Sequence, residues 1–378
     1  MAQRPRSTPL LKALHTWTGI IGGLFVSVLG LTGSVIVFRG VFERAALPKP
    51  SAGVVAGAAT LDDAAREVGR FRPDSQIRRV RFPASAGEPY IFQVESGAKK
   101  TERIVADAAT GRVTGVLETG SMDWLVDLHR NFLAGKSGRG AVGVAGIVLF
   151  LLSASGLLMW FRGARNWRAW ITVRPGTSRR LNFELHRASG LWAYSLLTLL
   201  SFTGIELAFP DAFHQAMQRV TGEPAKVKTP KPAKAKAKGK TAHSLAEYVQ
   251  AARAAMPDGV PTELRLADNG KSPVDLRLHR NGDLEPGGNH VYVDPATASV
   301  VSIDRIVDRP LGARILGAFT PIHYAQIGGL PIQMLWSAIG LTPALLFVTG
   351  LITWWRPTRK RTVTTAPAAT EERALVSK

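Results

Sequence analysis

Two patterns of histidine and glycine each occur twice in this chain, beside apolar stretches long enough to cross a membrane. His15 is followed by Gly19, Thr32 and Gly33, and His186 by Gly190, Thr203 and Gly204, at identical offsets. His129 precedes Gly135, Gly146, Gly156, Trp160 and Arg162, and His323 precedes Gly329, Gly340, Gly350, Trp354 and Arg356, again at identical offsets. Neutral imidazole is a metal ligand. Four histidines kept in a duplicated frame beside hydrophobic spans point to metal held inside a helical bundle, and haem iron is the metal most often held that way.

The elements that must position these residues are four apolar runs, approximately Trp17–Phe38, Val142–Trp160, Gly190–Phe209 and Leu335–Trp355. Each approaches the roughly 20 residues that cross a hydrocarbon core. The first is too long, and too poor in cleavage-site character, for a removable signal peptide, and reads as a signal anchor. The short loop between the second and third runs carries Arg162, Arg165, Arg168, Arg174, Arg179, Arg180 and Arg187 against Glu184 alone. The N-terminal tail holds Arg4, Arg6 and Lys12, and Arg356, Arg359, Lys360 and Arg361 follow the fourth run. Short basic loops stay in the cytoplasm, so both termini are expected inside.

The expected layout is an N-terminal tail and first span over 1–39, an outer module over 40–140 and a second span over 141–162. A cytoplasmic basic loop over 163–186 leads to a third span over 187–209. A second outer module over 210–333, a fourth span over 334–356 and a cytoplasmic tail over 357–378 complete the chain. Both halves begin on the same side, which makes the repeat parallel, with its pseudo-two-fold axis along the membrane normal.

The formal charge of +20 does not indicate nucleic acid. Much of the excess lies in the orienting arginines and in a Lys-Ala-Pro stretch at about 223–240, which lacks aromatic side chains for base stacking and reads as a flexible linker. The chain has no cysteine, which excludes disulfides and iron–sulfur clusters. Glycine-rich dinucleotide fingerprints, phosphate loops, zinc-protease motifs and nucleophile elbows are also missing.

Each outer segment reads as a helix followed by short strands. In the first these are Leu61–Val68, then Arg78–Phe82, Tyr90–Val94 and Ile104–Ala106. In the second they are Ser244–Met256, then Leu264–Leu266, Val274–Leu278, Val291–Val293 and Val300–Ile303. Val105-Ala106-Asp107-Ala108-Ala109-Thr110 matches Val293-Asp294-Pro295-Ala296-Thr297 loosely.

On this topology His15 and His186 lie at the cytoplasmic starts of the first and third spans, and His129 and His323 at the outer starts of the second and fourth. Facing imidazoles related by a two-fold axis can hold one planar haem on both faces, so the symmetry pairs His15 with His186 and His129 with His323. The glycines admit either a porphyrin or a close helix contact. Thr32 and Thr203 can support the ligands, while Lys12, Arg130, Arg139 and Arg187 can meet propionates. Trp160 and Trp354 read as interfacial belt residues. Glu206 reads as solvated at the interface, with proton shuttling as its functional alternative. His214, His243, His279 and His290 break the repeat and read as solvent-facing residues, His279 and His290 being the two that could touch a substrate.

The segments Leu14-His15-Thr16-Trp17-Thr18-Gly19, Leu128-His129-Arg130, Leu185-His186-Arg187 and Ile322-His323-Tyr324 resemble those of the PepSY-associated transmembrane family over roughly 10–360. That family includes iron-regulated inner-membrane proteins and di-haem ferric-siderophore reductases of the FoxB type. The resemblance implies four transmembrane helices with two periplasmic α+β PepSY-like modules and two b-type haems. It implies electron passage from a cytoplasmic reductase or quinol donor to a ferric siderophore or other ferric chelate, releasing ferrous iron. Because the chain stops soon after the fourth span, the donor is expected to be a separate molecule. A haem-free PepSY protein that binds or regulates an envelope partner, and an electron relay to another periplasmic acceptor, are the alternatives.

Overall fold

The computed structural model describes residues 9–48, 60–85, 87–97, 100–163, 171–174, 176–223, 243–266 and 272–355. The lysine-rich stretch (but for residue 223), residues 164–170 and 175 of the arginine-rich loop, and residues 1–8 and 356–378 lie outside these residues. Ten helices are used below: α1 Pro9–Ile36, α2 Arg39–Ala45, α3 Leu61–Phe71, α4 Gly120–Asn131, α5 Gly135–Gly163, α6 Ser178–Ala208, α7 Pro210–Thr221, α8 Leu245–Ala255, α9 Leu311–His323 and α10 Gly329–Trp355. The strands are β1 Ser75–Arg81, β2 Tyr90–Ser96, β3 Thr101–Ala106, β4 Val113–Val116, β5 Val260–Arg265, β6 Val274–His279, β7 Asn289–Val293 and β8 Val300–Asp304. The two halves share one order: long helix, short helix, module helix, four strands, short helix, long helix.

The helices α1, α5, α6 and α10 are long and apolar enough to cross a membrane. They pack in a ring, α1 against α5 and α10, and α6 against the same two. Many of their apolar side chains point outward, among them Ile21 at 69%, Trp192 at 71% and Trp355 at 74% exposure. A water-soluble bundle would bury such a surface; in hydrocarbon it needs no cover. Small residues set the close contacts between helices. Ser34 on α1 donates to the Ser337 carbonyl of α10 at 3.0 Å, where Gly30 and Gly340 leave no room for a Cβ.

Each module helix starts with a reciprocal cap. The Thr60 hydroxyl accepts the Asp63 N–H at 3.2 Å while Asp63 accepts the Thr60 N–H at 2.9 Å. Ser244 and Glu247 repeat this at 3.2 and 3.1 Å, satisfying orphan donors of the first turn. Asp62 of α3 also accepts the Leu245 N–H of α8 at 2.8 Å, tying the two module helices together.

The sequence suggests two separate outer modules; the structure joins them. All eight strands form one antiparallel sheet in the order β4-β3-β2-β1-β5-β6-β7-β8. The seam is the β1–β5 pair, with Arg79 opposite Arg265, Val80 opposite Leu264 and Arg81 opposite Glu263. One sheet face, carrying Val80, Phe92, Ile104, Leu264, Leu276 and Val291, packs with Val68 of α3, Tyr248 of α8 and Met256 just after α8 in a single core. Neither half-sheet has an exposed edge at the seam, because each covers the other's unpaired backbone groups.

β4 is an additional strand that the sequence does not announce, since Val113-Thr114-Gly115-Val116 is short and contains a glycine. Its partner is β3, with Ile104 opposite Val116. The turns before β4 and β8 are alike. Asp107 accepts the Ala109 N–H at 2.9 Å and Asp294 the Ala296 N–H at 2.8 Å, which is the physical content of the matching Val-Asp segments.

Candidate functional site: two facing pairs of histidines

His15 and His186 lie near the starts of α1 and α6, as the sequence suggests. His129 and His323 do not lie on the second and fourth long helices. They sit at the ends of the separate short helices α4 and α9, each followed by a left-handed turn: Phe132 and Leu133 have φ of 48° and 60°, and Ala325 has φ 50°. The chain turns there and enters α5 and α10, so both imidazoles reach back toward the bundle from outside it.

The four rings form two pairs. The His15 and His186 ring centroids are 6.4 Å apart with planes at 88°, and those of His129 and His323 are 6.4 Å apart with planes at 50°. A metal–imidazole bond of about 2.0 Å, with a ring nitrogen about 1.2 Å from its centroid, would allow two rings holding one metal a centroid separation of up to about 6.4 Å. The observed spacing fits one iron between each pair.

Each imidazole is held by the same device. His129 Nδ1 lies 2.9 Å from the Thr32 hydroxyl, which donates to the Val28 carbonyl at 2.7 Å. His323 Nδ1 lies 2.9 Å from Thr203, which donates to the Leu199 carbonyl at 2.9 Å. His186 Nδ1 lies 3.0 Å from Thr349, which donates to the Leu345 carbonyl at 2.6 Å. His15 Nδ1 lies 2.8 Å from Ser155, which donates to the Leu152 carbonyl at 3.1 Å. A hydroxyl has one proton. With that proton directed to a carbonyl, the oxygen must accept from Nδ1–H, and the lone pair is left on Nε2. His186 shows this independently, because its Nδ1 is also 3.0 Å from the Leu346 carbonyl, which can only accept. The tautomer is therefore the one a metal ligand requires.

A glycine follows each of these hydroxyl residues, and each glycine faces an imidazole edge. A Cβ on Gly33 would lie 3.1 Å from His129 Cε1, on Gly204 3.2 Å from His323 Cε1, on Gly350 3.2 Å from His186 Cε1, and on Gly156 3.6 Å from His15 Cε1. The repeated glycines thus divide by task. Gly33, Gly156, Gly204 and Gly350 make room for the rings, while Gly146 and Gly340 make room for neighbouring helices.

Sequence reasoning identifies Thr32 and Thr203 but misses Ser155 and Thr349. The available signal was a hydroxyl residue immediately before each of the four glycines, of which two are Thr-Gly pairs at identical offsets and the others Ser-Gly and Thr-Gly.

The remaining candidates are distributed differently. Arg130 pairs with Asp127 at 3.3 Å, Arg139 donates to the Leu207 carbonyl and Arg187 donates to the Thr172 carbonyl at 3.3 Å. Lys12 stands three residues before His15 on α1. Trp354 stacks edge-on against Trp17 at 6.1 Å. Glu206 is buried rather than solvated, at 6% exposure. His290 is not a solvent-facing residue: its side chain is 13% exposed, and its Nδ1 meets Asp275 at 2.8 Å. Its ring also stacks on Tyr292, at 5.7 Å and 13°. His243 lies between Glu247 at 2.7 Å and the Ala296 carbonyl at 3.0 Å. His214 and His279 have buried Nδ1 atoms without a hydrogen-bond partner. All four were expected in solvent; packing of α7 and of the sheet draws His214, His279 and His290 inward, whereas the His243 side chain keeps 31% exposure.

Ion pairs hold the short helix α4 in place. Asp123 receives both terminal guanidinium nitrogens of Arg103 at 3.0 Å, one on each carboxylate oxygen, and Arg39 at 3.0 Å. Arg39 also meets Glu43 at 2.7 Å, and Glu43 receives Arg81 at 3.1 Å. Burial pushes the carboxyls of Asp123 and Glu43 up, but the bonds from Arg103 and Thr119 on the one, and from Arg39 and Arg81 on the other, leave both below their ordinary values.

Four apolar spanning helices, a two-sided sheet and the paired histidines define a multi-pass membrane protein with an appended α+β region. The chain belongs to the family described as the PepSY-associated TM region, whose model matches residues 12–356. It is similar to an uncharacterised protein of Pseudomonas aeruginosa, with 28% identity over 264 residues. The match covers 62% of this chain and 63% of that relative's length.

Proposed function

We propose that this protein holds two b-type haems, one between His15 and His186 and one between His129 and His323, and carries electrons across the inner membrane to ferric siderophores. The observation that supports this most is the shared geometry of the four imidazoles: paired at 6.4 Å, fixed in the Nε2-bare tautomer and flanked by glycine. An interfacial histidine acting as a polar anchor needs none of these features, and their fourfold repetition has no other evident physical purpose.

Haem bound there supplies one-electron exchange between ferric and ferrous iron. The protein's own groups do the rest. His15 and Thr32 are 17 residues apart on α1, as are His186 and Thr203 on α6, which is about 25 Å of helical rise. The two sites therefore stand near opposite ends of the bundle, across most of a hydrocarbon core of about 30 Å. The basic loop between α5 and α6 supports a cytoplasmic His15/His186 end, where a reductase or quinol would deliver electrons. The sheet then lies in the periplasm with His129 and His323. With both imidazoles of the outer pair engaged, His129 and His323 would leave a bound haem iron no free site for a ferric chelate, which would take one electron without bonding to that iron and release its own iron as the more weakly held ferrous ion.

The decisive experiment is the visible spectrum of the purified protein, oxidised and dithionite-reduced, with haem quantified per chain. Two low-spin b-type haems, reoxidised anaerobically by a ferric siderophore while a ferrous trap colours, are the expected result. A haem-free protein defeats the proposal. A haem protein that stays reduced across a panel of ferric chelates defeats the reductase part alone.

A further inference from the structure

The sheet face opposite the module core carries an unusual row of charges. From β3 to β7 one row runs Arg103, Gln93, Arg79, Arg265, Asp275 and Tyr292. The adjacent row between β1 and β8 runs Arg81, Glu263, Arg277, His290 and Asp304. Arg79 and Arg265 are direct cross-strand partners. Like charges directly opposite each other destabilise an antiparallel pair, and here they occupy the seam that joins the two half-sheets. Local rules of this kind are broken mainly at functional sites.

The acids nearby do not neutralise the cluster. Glu263 is shared by Arg79 at 3.5 Å and by Arg265. Asp275 is shared by Arg277 at 3.9 Å and His290 at 2.8 Å. Glu43 is shared by Arg39 and Arg81. Burial and the neighbouring guanidinium groups of Arg265, Arg277 and Arg81 push the Arg79 pKa down against the opposing pull of Glu263, so an added anion would relieve the crowding. The four arginine side chains keep between 27% and 49% of their surface exposed, and the buried Arg277 Nε has no hydrogen-bond partner.

The position of this face matters as much as its charge. At one end Arg103 grips Asp123 of α4, the helix that carries His129. At the other, Asp304 receives Arg309, just before α9 and its His323, at 2.9 Å through two nitrogens. The arginine-bearing face therefore spans between the supports of the two outer histidines. Lipid headgroups meet the perimeter of a bundle, whereas β1 and β5 are the two central strands of the sheet, a place suited to a small soluble molecule.

We infer that Arg79, Arg81, Arg265 and Arg277 form a docking site for a small soluble polyanion, namely a ferric chelate bearing free carboxylates, presented to the His129/His323 pair. Guanidinium forks match carboxylates in two-point geometry, and several of them discriminate against neutral or cationic hydroxamate chelates. This specificity rests on the proposed reductase function; binding itself does not, and can be measured without electron transfer.

The test uses the full-length protein in nanodiscs of zwitterionic lipid, with redox-inert gallium(III) complexes of citrate and of a linear trihydroxamate as probes in equilibrium binding. The expected result is saturable binding of gallium citrate, weakened by rising salt, with little binding of the trihydroxamate complex. Arg79→Gln and Arg265→Gln should each weaken citrate binding about tenfold or more, with haem content and spectrum unchanged. Because each substitution removes like-charge repulsion, thermal stability should hold or rise; a purely structural arginine would show a loss. Equal binding of both complexes, undiminished binding in both variants, or loss of binding when anionic lipid is added to the disc overturns the inference, the last outcome assigning the face to lipid headgroups. Citrate binding by a protein without haem would refute the reductase proposal and leave this site standing.

Discussion

The Thr32 hydroxyl on α1 gives its proton to the Val28 carbonyl and receives the Nδ1–H of His129, 97 positions along the chain. A single side chain thereby fixes the tautomer of a ring carried on another helix. The same relation joins Thr203 to His323, Thr349 to His186 and Ser155 to His15.

Thr32→Val and Thr203→Val should remove this acceptor while keeping shape. Loss of such a supporting partner lowers metal affinity roughly 10–100-fold. Haem titration should show that loss at the outer pair alone, with Thr32→Ser close to the parent. Unaltered affinity and potential in both valine variants would remove the positioning role.

The glycines beside the rings predict a rank order. Gly33→Ala, Gly204→Ala and Gly350→Ala place a methyl 3.1–3.2 Å from an imidazole carbon, whereas Gly156→Ala leaves 3.6 Å. The first three should shift or bleach the spectrum of their own pair, and the last should be nearly silent. Equal effects at all four positions would contradict the crowding argument.

Single ligand substitutions should sort by pair. His15→Ala or His186→Ala should reduce the inner haem and spare the outer one, and His129→Ala or His323→Ala the reverse. Full occupancy of two haems per chain in any of these variants eliminates that histidine as a ligand.

The Asp123 cluster predicts an acid-sensitive attachment of α4. The folded-state pKa of Asp123 is held below its ordinary value. Its contribution to stability is therefore complete above the unfolded value, and is lost as pH falls through the lower, folded one. Asp123→Asn should cost about 1 kcal/mol at neutral pH, since the group is partly exposed, and should flatten the acid limb of thermal stability against pH. A variant melting in parallel with the parent at every pH would discount the cluster.

Orientation has its own measurement. Reporter fusions should place Arg174 in the cytoplasm, with Asp107 and Asp294 outside. An alkaline phosphatase fusion active at Arg174 and silent at Asp294 would invert the electron path.

Short-range regularities were legible in the sequence because they are local. Four spans follow from uninterrupted apolar length, and the module helices follow from apolar spacing, each opening on a Thr60–Asp63 or Ser244–Glu247 cap. The four candidate histidines stand out by a duplicated spacing, which needs no three-dimensional knowledge to detect, and the structure brings them together in two pairs. What only the tertiary structure decided is nonlocal. Whether the modules pair depends on edge strands meeting between Val80 and Leu264, 184 positions apart, and alternating apolar residues fit a free half-sheet equally well. Ser155 and Thr349 share with Thr32 and Thr203 the place just before a glycine, but hydroxyl residues on membrane helices commonly bond back to their own carbonyls, and only the packing shows which ring approaches each of them. Arg79 and Arg265, 186 positions apart, are set opposite each other only by the antiparallel register of β1 and β5. Sequence sets which residues are available along each element; packing of distant elements decides which of them share a proton or a charge.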